Sequence, residues 1–184
     1  MKTAKYLTGI MLLFICGIYL YSCIGPVPVD VVMIDDELFF VLEEEHEIAS
    51  MEVSAFIDKN KTGRDKWEEK NMKVMWLLGY DVSTPVKSRK YLKLSQIRYG
   101  KKYDGFSVVK GPAELQRNVE YIVDIRMGDS FAIETFVITD DGKAIMPHPR
   151  FEHQKNRTYS VSVDEDGNKT LVVAPVSNAS EEQR

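Results

Sequence analysis

Glu120-Tyr121-Ile122-Val123-Asp124-Ile125-Arg126-Met127 is the stretch that decides the fold. Tyr121, Val123, Ile125 and Met127 alternate with Glu120, Asp124 and Arg126, a period of two that sets an apolar row against a core and a polar row in water. The same period recurs upstream, where Met51, Val53, Ala55 and Ile57 alternate with Glu52, Ser54 and Phe56, and downstream, where Val161 and Val163 alternate with serines. Turn chemistry separates such runs: Asp35-Asp36, Asn60 to Gly63, Gly100 to Gly105, Asp140 to Lys143 and Asp164 to Asn168. Strands are predicted near 30–34, 37–42, 48–57, 71–80, 91–99, 105–109, 119–127, 130–139, 143–146, 158–164 and 169–174. Beyond residue 24 no helical stripe exceeds three turns, and 65–72 reads as one or two turns. Many short strands with regular turns predict an all-β fold: an antiparallel β-sandwich of immunoglobulin-like type over residues 30–174. The polar tail, 175–184, is expected to be disordered.

The N-terminus has a different character. Lys2 and Lys5 precede an uncharged run from Tyr6 to Ile24, which closes on Leu20-Tyr21-Ser22-Cys23. Basic residues, then apolar ones, then small ones make the layout of a secretory signal peptide. Leu-x-Ser-Cys resembles the lipobox of bacterial lipoproteins, which implies removal of residues 1–22 and lipidation of Cys23. Cys16 and Cys23 are the chain's two cysteines, so the body beyond has no thiol for a disulfide, a metal or catalysis. Tyr21 is bulkier than a lipobox usually carries at that position. An uncleaved anchor remains an alternative, because about 19 apolar residues span a bilayer, and plain secretion is another. Ile24, where an aspartate would signal inner-membrane retention, points to the outer membrane facing the periplasm. Residues 23–29, with Pro26 and Pro28, read as an extended tether.

Removing the leader leaves 162 residues, enough for one domain that buries about two-thirds of its unfolded surface. Without Lys2 and Lys5 the balance is 22 basic against 28 acidic residues, net −6, which argues against nucleic-acid binding.

No motif in the body carries an evident chemistry. Asp58 to Gly63 with Glu69 matches part of a calcium loop. However, Thr62 and Asp65 occupy the wrong positions, and Lys59, Lys61, Arg64 and Lys66 crowd it. A solvated hairpin loop is the expectation. His148, Glu152 and His153 miss the helical zinc spacing, and Pro147 and Pro149 bar a helix there. His46 sits in an acidic run and reads as solvated. No nucleophile elbow or phosphate-cradling loop is present, so the reading is of a non-enzyme with no cofactor, no metal and no catalytic residue. Asn60, Asn156, Asn168 and Asn178 head Asn-x-Ser/Thr triplets, taken as turn residues.

Charge is distributed unevenly. From Val82 to Tyr103 there are seven basic residues and no acid, among them Arg89, Lys90, Lys93 and Arg98, interleaved with Tyr91, Tyr99 and Tyr103. From Asp35 to Glu47 there are seven acids and no Lys or Arg. Tyrosine and arginine anchor interfaces, and single-sign patches steer encounters. Arg89, Lys90, Lys93, Tyr91 and Tyr99 are therefore the expected partner-binding residues. The plainer reading is that the two runs neutralise each other within one sheet.

With its lipobox and tether, the strand Leu38-Phe39-Phe40-Val41-Leu42, the mid-chain Lys73-Val74-Met75-Trp76 and the late pair Tyr121–Val123 and Phe131–Ile138 ending in Asp140-Asp141-Gly142-Lys143, the chain resembles a family of periplasmic lipoproteins identified as type VI secretion immunity proteins. The resemblance spans residues 1 to 146; the stretch 81–104 and everything from Pro147 depart from it. It implies a protein-binding module that neutralises a cognate toxin. The alternative is a structural or assembly lipoprotein of the envelope, whose basic patch meets lipid phosphates or anionic glycans.

Overall fold

The computed structural model describes residues 25–58, 60–61, 63–80, 84–85, 89, 91–128, 130–165 and 169–174. The leader, Cys23, Lys90 and the tail expected to be disordered lie outside them. The described chain forms ten strands: β1 (Val29–Ile34), β2 (Glu37–Phe56), β3 (Met72–Gly79), β4 (Leu92–Arg98), β5 (Ser107–Lys110), β6 (Glu120–Met127), β7 (Phe131–Ile138), β8 (Ala144–Ile145), β9 (Thr158–Val163) and β10 (Lys169–Ala174). Short 3₁₀ turns occupy Gly63–Trp67, Glu69–Asn71 and Glu152–Asn156.

All strand pairings are antiparallel, and the architecture is the expected sandwich. β2 joins its two layers. Its first half pairs with β1 and β4; its second half pairs with β3 and β6, beyond which lie β5 on one side and β7 and β8 on the other. In an immunoglobulin domain each strand belongs to one sheet, whereas here one 20-residue strand runs through both layers of a single eight-stranded sheet. The two strands expected at 37–42 and 48–57 are thus continuous. Between Val41 and His46 the register with β4 slips, so that Glu43, Glu44 and Glu45 bulge into solvent without ending the strand.

The inner faces meet in one apolar core. Phe40 of the first layer meets Phe136 of the second edge-on, with centroids 5.8 Å apart, and Phe136 stacks on Tyr121. Trp76, Val123 and Ile125 are fully buried beside them. The apolar row of β6 read from sequence is that core row.

Leu38 to Leu42 is apolar without alternation because both faces of its layer are covered. Leu38, Phe40 and Leu42 face the main core. Phe39 and Val41, with Val32 and Ile34 of β1, face the hairpin β9–β10 through Leu171 and Tyr159. Asp35 and Asp36, with φ of 50° and 61°, make the two-residue turn between β1 and β2. Pro26 bridges to Phe131, and the Val27 N–H donates to the Phe131 carbonyl at 2.8 Å, so the segment expected as tether packs on β7 from there.

Candidate binding surface

β2 and β4 lie side by side and antiparallel, which brings the acidic and basic runs into register. Lys93 opposes Glu47, with Nζ 4.0 Å from the carboxylate, and Arg98 reaches Glu37 at 2.8 Å. Lys169 of β10 adds a contact to Asp35 at 2.9 Å. Exposed pairs of this kind stabilise little, but they cancel charge, so much of each patch is spent on the other.

Tyr99 is partly buried against the core. Its hydroxyl donates to the Ala113 carbonyl at 2.7 Å, and its ring meets Trp76 edge-on at 5.2 Å. Burial pushes its pKa up to about 12. Tyr103 is partly buried too, its hydroxyl accepting the Arg98 N–H at 2.9 Å. Both hydroxyls are engaged within the chain.

Arg89 and Tyr91 do come together, around Tyr80. The Arg89 guanidinium lies 5.5 Å from the Tyr80 ring centroid, and its Nε–H donates to the Thr84 carbonyl at 3.3 Å. Tyr91 meets Tyr80 edge-on at 6.1 Å, and Phe106 supports Tyr80 from the other side at 4.9 Å. These residues wall a groove of about 400 Å³ whose floor is Ala49, Leu77 and Gly79 and whose far rim is Val109. Tyr91 is 48 % and Val109 56 % exposed. Burial pushes the pKa of the Tyr80 hydroxyl up. The groove combines an apolar floor, two aromatic walls and one cation, a set that takes an apolar side chain beside a carboxylate. Sequence reading passed over Tyr80 and Val109: Tyr80 directly follows β3, where no period of two marks it.

Several other ionisable groups make contacts within the chain. Asp58 accepts the Asn60 N–H at 2.9 Å, closing a local turn of the segment that resembled a calcium loop. His153 lies 3.2 Å from Glu43 and His46 3.9 Å from Glu44. Among the described residues, no three His, Cys, Asp or Glu side chains converge as metal ligands would. A buried cluster that sequence reading missed joins β1 to the last segment. Asp30, 1 % exposed, accepts from Gln154 Nε2 at 3.0 Å, from Arg157 at 3.0 Å and from the Tyr159 hydroxyl. Over a hundred residues separate Asp30 from these partners, so no spacing signal exists. Among the described residues no helix is long and apolar enough to cross a membrane.

No protein family model, curated protein or solved structure matches this chain.

Proposed function

We propose that this chain is a lipid-anchored lipoprotein of the bacterial envelope, held at the outer membrane and facing the periplasm through acylated Cys23. Its β body is a protein-binding module that neutralises a toxin delivered into that compartment. The observation that carries this reading is the exposed groove of Arg89, Tyr80 and Tyr91 on a rigid sheet. Aromatic and arginine side chains lining an apolar pocket are the usual anchors of tight protein interfaces. Lys93 sits on β4 as a steering charge weakened by Glu47. Lys90 adjoins Arg89 in sequence. Tyr99 serves by bracing β4 against the segment at Ala113.

Periplasmic co-expression with the toxin encoded beside this gene tests the reading. The wild-type chain should restore growth, and failure to do so eliminates toxin neutralisation. Replacing Arg89 with Glu and Tyr91 with Ala together should cost about 2 kcal/mol or more of toxin affinity in calorimetry. Fatty-acid label should enter the wild-type chain and not Cys23→Ala; label on that variant rejects the anchor.

A further inference from the structure

Among the described residues, β9 pairs with β10 and with no other strand. Which of its groups face outward follows from Gln96 on β4. The Gln96 amide nitrogen donates to the Leu171 carbonyl at 2.5 Å, and its amide oxygen accepts the Leu171 N–H at 2.8 Å. Leu171 therefore turns both backbone groups away from β9. Val161 stands opposite Leu171 in the ladder. Two antiparallel residues that do not exchange bonds both point their N–H and C=O outward, so Val161 points away from β10. Tyr159 and Val163, two residues to either side, share its orientation. The outer edge of β9 thus presents six backbone groups, and none has a backbone partner among the described residues.

Among the described residues, several other edges are blunted. β5 carries a bulge at its pairing with Leu77 and Leu78 and ends in Lys110. β8 has two residues, and β4 presents Lys93. β9 uses none of these devices: Thr158–Val163 contains no charge, proline or glycine, and Val161 and Val163 are 38 % and 58 % exposed. A flat, uncharged edge of this kind templates another strand.

We propose that the strand it receives is β9 of a second copy of this chain, antiparallel about a two-fold axis at Val161. The outward row is symmetric about Val161. In that register each Val161 meets its own copy and each Tyr159 meets Val163 of the partner subunit, so all six groups of both edges are satisfied. The side chains match as well, since aromatic and β-branched residues form favourable cross-strand pairs. Assembly stops at two copies, because Gln96 already occupies the outer edge of β10 at Leu171 and a two-fold contact consumes both β9 edges. The Arg89 groove is lined from β2, β3, β5 and the residues preceding β4, and it shares no residue with the β9 edge.

Sedimentation velocity of the full-length protein over a concentration series tests this, together with amide hydrogen exchange. A reversible monomer–dimer equilibrium is expected, with the amides of Tyr159, Val161 and Val163 slowing as dimer accumulates. Val161→Lys sets two ammonium groups face to face on the axis and should sediment as monomer. Val172→Lys alters a more exposed valine of the same hairpin, on β10 rather than at the β9 edge, and should still dimerise. A wild-type chain that stays monomeric overturns the proposal, as does a dimer indifferent to Val161→Lys or one in which the three amides are not slowed. The exchange reading needs no variant, so it decides even where Val161→Lys fails to fold.

Discussion

Tyr99 and its neighbours make one hydroxyl chemistry into a property of the whole protein. Burial disfavours the phenolate, and the pKa of Tyr99 rises to about 12 from about 10 in an unfolded chain. Tyr80, Tyr103, Tyr121 and Tyr159 are shifted the same way, burial being the first cause in each. A folded pKa above the unfolded one means that the folded state holds its proton more tightly. The stability this supplies is fully present below about pH 10 and is lost as pH rises through about 12. Urea midpoints should therefore be flat near neutrality and fall steeply above about pH 10. Tyr99→Phe removes the bond to Ala113 and should lower stability by about 1 kcal/mol at pH 7. It should also shallow the alkaline decline, and a variant curve parallel to wild type throughout would refute the assignment.

At the scale of elements, Gly111 shows how a strand end is fixed by a backbone approach. It follows β5 with φ of +77°, and a Cβ built there would lie 2.1 Å from the Met75 carbonyl oxygen. That oxygen also accepts the Ala113 N–H at 3.0 Å, so the overlap is with backbone held in place. Gly105 has φ of +87° with nothing within 4 Å of its Cβ position. In thermal melts Gly105→Ala should cost only the conformational penalty, about 1 kcal/mol, while Gly111→Ala should reach or exceed about 3 kcal/mol. Equal losses would show that the Met75 contact yields easily. Elements whose residues respond to one face were legible in sequence: β6 and β7 alternate, and their bounds agree with expectation to within a residue or two. β2 was read as two strands because Glu43 to Glu47 carry no period of two, and only the bulge explains how charge persists within a strand. The groove was half legible. Arg89 and Tyr91 stood out by residue type, but nothing local marks Tyr99 as part of the core packing, since its partial burial depends on Trp76 and Ala113 arriving from elsewhere in the chain.

For the molecule as a whole, the two layers and the hairpin differ in how they are held. The layers share β2 and one large core, so they cannot part without breaking that strand. The hairpin is a two-stranded ribbon, an element marginal by itself. It rests on a cluster whose buried members are Phe39, Val41 and Leu171, helped by the Gln96 amide and the Asp30 contacts. Few buried groups and long-range polar staples define a unit that opens below the global unfolding free energy. Native-state hydrogen exchange in low denaturant should accordingly show β10 amides exchanging through a sub-global opening, while β6 and β7 amides exchange only on global unfolding. Leu171→Ala should lower the free energy of that opening by about 2–5 kcal/mol, because it empties the centre of the small cluster and leaves the large one untouched. The β6 and β7 amides should then hardly move. If they fall in step with β10, the hairpin is part of the cooperative core, and the two-tier description of this fold is wrong.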